Sequence, residues 1–245
     1  MAIYVTGDIH RTPFPRLNTK MFPDQKHLTK DDYVIICGDF GVIWNDTKTE
    51  KYLLDDLQER NFTTLFVDGN HENFDRLNTY PVETWHGGKV HKIRPNVIHL
   101  MRGQVFHLQG KTFWTFGGAR SHDIRDGILE VGDPRIKEWN KDYFKLFRVN
   151  HVSWWAEEMP NSEEMAEGLA NLEKENFKVD FIITHAPPAS VVRAMYRDTD
   201  EFENYLQDVM NRTEVDKWFC GHMHPERNFY FQRVCCMYEK LMQII

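Results

Sequence analysis

The chain has 245 residues, 41% hydrophobic and 27% charged, the make-up of a soluble globular protein long enough to bury a sizeable core. Its net charge of −7 argues against a general polyanion-binding surface, although bound cations can reverse the sign of a site locally and admit a phosphate-bearing substrate. No apolar run approaches the ~18 residues at which a membrane span becomes plausible, and MAIYVTGDIH lacks the basic-then-apolar order of a secretion signal, so the expectation is a cytoplasmic chain without a membrane partner.

In chain order, the first predicted element is a short strand, AIYV, running into Thr6-Gly7-Asp8-Ile9-His10. A second, YVIIC, runs into Gly38-Asp39. Thr49 to Arg60 carries apolar residues at Tyr52, Leu53, Leu54 and Leu57, which predicts an amphipathic helix. TTLFV then runs into Asp68-Gly69-Asn70-His71-Glu72. From Val97 to Phe116 three strands follow one another, VIHLM, QVFHLQ and KTFWTF, with turns at Arg102-Gly103 and Gln109-Gly110; this reads as a second, more antiparallel sheet. His99 and His107 fall inside it and read as hydrogen-bonded or surface histidines. The stretch from Ile128 to Trp155 is aromatic and charged and yields no assignable element. Asn161 to Asn176 opens with the capping pattern Asn161-x-x-Glu164 and carries Met165, Leu169 and Leu172 on one face, a second helix. FIIT runs into His185-Ala186-Pro187-Pro188, and KWFC into Gly221-His222-Met223-His224.

No repeat, low-complexity tract or linker divides the chain, which is expected to form a single domain over residues 1–245. Cys37, Cys220, Cys235 and Cys236 lie in or at the ends of apolar runs without a CxxC pair, and read as buried free thiols of a reducing compartment. Strand, helix, strand alternation implies an α/β sheet with parallel strands, whose chemistry gathers beyond the C-terminal strand ends. All five clusters of small and metal-friendly residues fall there. Any one of them alone reads more readily as a turn. Five in one chain reverse that balance.

Together they offer Asp8, His10, Asp39, Asn70, His185, His222 and His224. Gathered and buried without cations, the carboxylates would repel and every polar group would need a partner; a pair of divalent metals resolves the conflict. A thiolate-free mixture of imidazole, carboxylate and amide suits Mn, Fe or Zn, then Co or Ni, better than the oxygen-seeking Ca or Mg. Spacing by itself would put His222 and His224 on one ion, since residues i and i+2 of an extended segment share a side.

The ordered series GDIH, GD, GNHE, H and GHMH, from residue 4 to residue 224, closely resembles the calcineurin-like metallophosphoesterase superfamily. The resemblance implies an α/β fold, a four-layer α/β/β/α sandwich of two mixed sheets with the metal site at the C-terminal strand ends. It also implies two divalent ions: Asp8, His10 and His224 on the first, Asn70, His185 and His222 on the second, and Asp39 bridging both. The implied reaction is metal-dependent hydrolysis of a phosphoester by a hydroxide bridging the metals, with His71 as general acid. The enzyme would be a phosphatase or phosphodiesterase, the alternative being a nuclease or nucleotide phosphodiesterase of the same fold. A non-catalytic metal-binding scaffold is disfavoured because every ligand position is filled.

The second motif departs from the GDxVDRG of the serine/threonine protein phosphatases: Val42 stands where an Asp would orient the catalytic histidine. That favours a small-molecule phosphoester over a protein substrate, and the charge does not favour nucleic acid. Arg120 and Arg11 are the candidate substrate contacts, each able to clamp a phosphate. Trp44, Trp154 and Trp155 read as packing residues rather than stacking platforms.

Overall fold

Strands form where the β-branched and aromatic runs lie, because such residues pack on both faces of a buried sheet. A computed structural model describes the backbone of the whole chain and all side chains except those of residues 13 and 14. Its strands are β1 (Ile3–Thr6), β2 (Tyr33–Ile36), β3 (Thr63–Phe66), β4 (Val82–Trp85), β5 (Gly88–Arg94), β6 (Val97–Leu100), β7 (Gln104–Leu108), β8 (Lys111–Phe116), β9 (Gly127–Leu129), β10 (Phe147–Val149), β11 (Lys178–Thr184), β12 (Glu214–Cys220), β13 (Arg227–Phe229), β14 (Val234–Cys236) and β15 (Leu241–Gln243). One sheet has the order β15-β1-β2-β3-β6-β5-β4, the other β13-β14-β12-β11-β8-β7. In each a parallel centre is flanked by antiparallel strands.

Alternation along the strands sorts side chains into three cores, and three cores make four layers. Ile3, Ile35, Leu65 and Ile98 of the first sheet meet Phe113, Ile183, Phe219 and Cys235 of the second in a middle core. Their neighbours Tyr4, Val34, Ile36 and Phe66 turn the other way, against Leu53, Leu54 and Leu57 of helix α2 (Lys48–Glu59, after α1, Pro13–Leu17). On the far side Trp114, Ile182 and Trp218 pack on Leu172 of a 13-residue helix (Ser162–Lys174) and on Phe202, Leu206 and Val209 of a 12-residue helix (Glu201–Arg212). These are the α/β/β/α layers that the resemblance implies.

Both predicted helices are present, and their caps set their starts. Thr47 accepts from the Glu50 amide, and Asn161 and Glu164 cap each other's backbone. The second helix stops at Lys174, short of Asn176, because Asn176 and Phe177 adopt left-handed backbone angles. The capping pair Asp200–Glu203 was the signal for the helix at Glu201, which the sequence reading did not mark.

The expected antiparallel trio splits. VIHL is β6, parallel to β3 in the first sheet, while β7 and β8 form an antiparallel pair in the second. Gly103, at φ +68, turns the chain from one sheet to the other. Apolar alternation identifies a strand but not its neighbour. The unreadable stretch from Ile128 to Trp155 holds only the short pair β9–β10 and one turn of helix, and it leaves Val131, Tyr143, Phe144 and Val152 exposed. No regular face is buried there, so no period is written into its sequence. All four cysteines are buried and free, and no helix is long and apolar enough to cross a membrane.

Candidate metal centre

The parallel strands of both sheets deliver the predicted ligands to one place. Asp8 and His10 follow β1, Asp39 follows β2 and Asn70 follows β3; His185 follows β11, and His222 and His224 follow β12. Asp8, Asp39 and His185 are at most 1% exposed, so the cluster is closed to solvent from below.

Three donor atoms converge first. His224 Nε2 lies 3.0 Å from Asp8 Oδ2 and 3.2 Å from His10 Nε2, and His10 Nε2 is 3.8 Å from Asp8 Oδ2. Two imidazole nitrogens and a carboxylate oxygen at these separations can face one ion. Asp8, Asp39 and His185 form a second such group, and His10, Asp39 and His71 a third. Asp39 is common to the latter two: its Oδ1 lies 3.3 Å from His185 Nε2, and its Oδ2 lies 3.6 Å from His10 Nδ1. Asn70 Oδ1 is 3.2 Å from His185 Nε2. His222 falls outside these groups, but its ring centre is 5.0 Å from that of His185.

Backbone geometry marks the same residues. His10, Asp39, His222 and His224 all have positive φ, between 44 and 63, which a side chain bearing Cβ adopts only at a cost of about 1–3 kcal/mol. The glycines of the motifs provide room. A Cβ on Gly221 would come within 2.2 Å of Asp8 Oδ1, and one on Gly69 within 2.1 Å of Asp39 Oδ1. Gly221 and Gly69 thus each accommodate the carboxylate of another motif, and Gly38 the His185 imidazole.

Hydrogen bonds around the cluster aim its donors. His185 Nδ1 donates to the Cys37 carbonyl at 2.7 Å, leaving Nε2 free to face the centre. The Asn70 amide points its Nδ2 at Ser121 Oγ, 3.4 Å away, and therefore its oxygen inward. Ser121 donates through both its backbone N and its hydroxyl to the buried Glu158. Glu72 accepts from the amides of Phe40 and Gly41 and so ties down the loop after Asp39. Asp8 likewise accepts from the His222 amide. Tyr238 lies almost parallel to His224, their ring centres 4.5 Å apart. None of Ser121, Glu158 and Tyr238 belongs to a strand-end motif, so the sequence reading missed them.

Charge is the unresolved quantity. Among the described residues the ion partners of Asp8 and Asp39 are all histidines, with no Lys or Arg. Burial alone would raise the Asp39 carboxyl, but His185, then His71 and His10, outweigh it and hold the acid far below its usual range. His185 shows the reciprocal effect: burial opposes its charge, yet Asp39 and Asp8 push it up to about 10. Burial holds His222 well below its ordinary value, with His185 and His122 adding repulsion. One imidazole must then be charged and another kept neutral within the same few ångströms. Divalent cations would remove that conflict for all seven residues, and the donor set fits them.

His71 sits beside the cluster, its ring centre 5.3 Å from that of His10. Its backbone amide donates to Asp39 Oδ1 at 2.8 Å. Burial lowers its pKa against the pull of Asp39. Val42 is buried in the outer core, and among the described residues nothing hydrogen-bonds the His71 ring. Arg11 lies with its guanidinium 3.5 Å above the Trp44 ring, and Trp155 donates to Asp75, so these two tryptophans pack or support. Arg120 is exposed and lines a cavity of about 420 Å³ that starts at Ser121 and His122.

The family of calcineurin-like phosphoesterases matches residues 1–226. Lariat debranching enzyme A of Xenopus laevis is 28% identical over 262 residues, covering 95% of this chain and 44% of that protein. The lariat debranching enzyme of Danio rerio is 19% identical over 255 residues, covering 91% of this chain and 40% of that protein. The chain therefore spans less than half the length of these relatives. The crystal structure of phosphopantetheinyl hydrolase from Mycobacterium tuberculosis covers all of this chain, and 95% of its own, at 17% identity and a TM-score of 0.49.

Proposed function

The chain belongs to the calcineurin-like phosphoesterase family, whose members are hydrolases of phosphoester bonds, and from that premise we propose how its residues do the work. Asp8, His10 and His224 would hold one divalent cation; Asn70, His185 and His222 would hold a second; Asp39 would serve both. Bound there, the two cations would supply a nucleophile at neutral pH and neutralise charge gathering on the phosphoryl oxygens. With the cations in place, they would keep Asp39 ionised; without them, His185, His71 and His10 favour its ionised form. His185 and Asn70 enter pre-aimed, through Cys37 and Ser121. His71 gives a proton to the departing ester oxygen. Its position comes from the backbone bond to Asp39 rather than from a second-motif carboxylate. Arg120 and Arg11 contact the substrate. Residues 1–245 work as one catalytic domain, since both sheets share the middle core.

The observation that carries this reading is the convergence of Asp8 Oδ2, His10 Nε2 and His224 Nε2 without any arginine or lysine ion pair to neutralise the carboxylates. Chelator-stripped protein should be inert towards p-nitrophenyl phosphate and bis(p-nitrophenyl) phosphate and recover on adding Mn²⁺, Fe²⁺ or Zn²⁺. Metal-loaded protein that cleaves neither ester refutes it. A second reading, a nuclease or nucleotide phosphodiesterase, draws on the debranching relatives; the net charge of −7 weighs against a long nucleic acid but not against a short one.

A further inference from the structure

We infer that the cavity behind the short helix Phe74–Leu77 is a second binding site, which takes a small organic amine with an aromatic body. None of the seven proposed metal ligands lines it, nor does His71, so the site stands whether or not the metal centre cleaves phosphoesters.

The cavity measures about 420 Å³ and opens to solvent past the exposed Asn78, Glu157 and Asn161. Part of its wall is polar and buried. His91 on β5 stands opposite His99 on β6, and the two residues are 3% and 4% exposed. Their hydrogen bonds fix where the protons lie. Asp68 is ionised and a carboxylate only accepts, so His99 Nε2 donates to its Oδ1 at 3.1 Å. Arg102 already balances that carboxylate through two hydrogen bonds, so His99 stays neutral and its Nδ1 is a bare acceptor. His91 Nδ1, 3.1 Å away, must then be the donor. Burial beside His99 keeps the His91 ring neutral as well. A neutral ring protonated on Nδ1 carries a lone pair on Nε2. Among the described residues no group donates to that nitrogen, and the ring lines the cavity. A buried acceptor without a donor is costly, and a ligand N–H satisfies it.

Charge and packing narrow the ligand further. The lining carries three acids, Asp68, Glu157 and Glu164, against one guanidinium, Arg102. A cation is therefore favoured over an anion. Phe74, Leu77, Met101 and Met159 form the apolar part of the wall, and two of them are thioethers, which pack well on an aromatic ring. An ammonium at His91 Nε2 with a ring against these side chains meets both demands. An anionic or donor-free ligand leaves Nε2 unpaired.

The test titrates phenethylamine and phenylacetate into the chelator-stripped full chain with ¹⁵N-labelled histidines at neutral pH. A long-range proton–nitrogen spectrum should place the His91 proton on Nδ1, and phenethylamine should move the Nε2 signal saturably. The amine should bind at least ~10-fold more tightly than phenylacetate. His91→Phe removes the acceptor, and Asn78→Trp narrows the cavity from an exposed position; each should weaken the amine ~10-fold or more. If His91→Phe does not fold, Asn78→Trp decides alone. A proton on Nε2, no saturable response to phenethylamine, phenylacetate binding as tightly as the amine, or full amine binding retained in either folded variant would overturn the inference.

Discussion

Two buried clusters of His and Asp lie near the strand ends, and they solve the same electrostatic problem differently. Beside the pocket behind α3 (Phe74–Leu77), Asp68 accepts from Arg102 Nε at 2.9 Å and from a terminal guanidinium nitrogen at 2.6 Å, while His99 Nε2 lies 3.1 Å from its other oxygen. His91 completes the chain, 3.1 Å from His99. Arg102 also reaches Glu164 at 3.1 Å. Here the protein supplies its own cation. Against the cost of burial, Arg102 and His99 keep Asp68 ionised far below the usual range, and burial beside His99 lowers His91 to about 4. The strand-end cluster has similar residue types and burial, but its carboxylates form no ion pair with an arginine or lysine among the described residues, and Arg16 acts on Asp8 only from farther off. Composition therefore does not separate the two clusters; the directly paired internal cation does.

The contrast is broken or sharpened by paired substitutions. Asp39→Ala should abolish phosphoester hydrolysis, by ~10³-fold or more, and sharply reduce metal content while leaving the fold intact. Asp68→Ala should do the reverse, costing about 3–5 kcal/mol in urea unfolding because it strips buried Arg102 of its buried counter-ion and leaves only the partly exposed Glu164, yet retaining metal. Loss of metal in both variants would erase the distinction.

His71→Asn should lower kcat by ~10²–10⁴ on an alkyl ester and much less on a p-nitrophenyl ester, whose leaving oxygen hardly needs a proton, with metal content unchanged. An equal loss on both esters would deny His71 the acid role. Ser121→Ala frees the Asn70 amide to rotate and should weaken binding of the second ion by ~10–100-fold in a metal titration while sparing the first.

The smallest effect concerns a carboxylate with neither solution. Glu203 is buried and accepts from the Asp200 amide of its capping box, and burial raises its pKa to about 7 against the pull of the more distant Arg197 and Arg193. Its folded value exceeds the unfolded one, so this contribution is full below about pH 4.5 and is lost as pH rises through about 7. Glu203→Gln keeps the cap and should raise Tm by ~2–5 °C at pH 8 but not at pH 5. An equal shift at both pH values would assign the effect to packing.

The proposed ligands were legible as a cluster because each lies within four residues of a strand end, so one local pattern reports both the strand and the residues gathered beyond it. The middle strands misled because pairing is set by distant partners: His99 stands opposite Phe66, not in a sheet with β7. Glu158 holding Ser121 and Arg102 holding Asp68 bridge 37 and 34 residues, and no periodicity encodes such pairs. The left-handed backbone at His222 and His224 removes the premise of the spacing argument: the segment is not extended, so i and i+2 need not share a side.

The central claim is that the strand-end cluster, whose carboxylates have no arginine ion pair, is completed by two external cations divided between His222 and His224. An anomalous-scattering map of Mn²⁺-loaded crystals tests it directly. The account predicts two peaks bridged by Asp39, one bound by His224 with Asp8 and His10, the other by His222 with Asn70 and His185. A single peak shared by both imidazoles would contradict it.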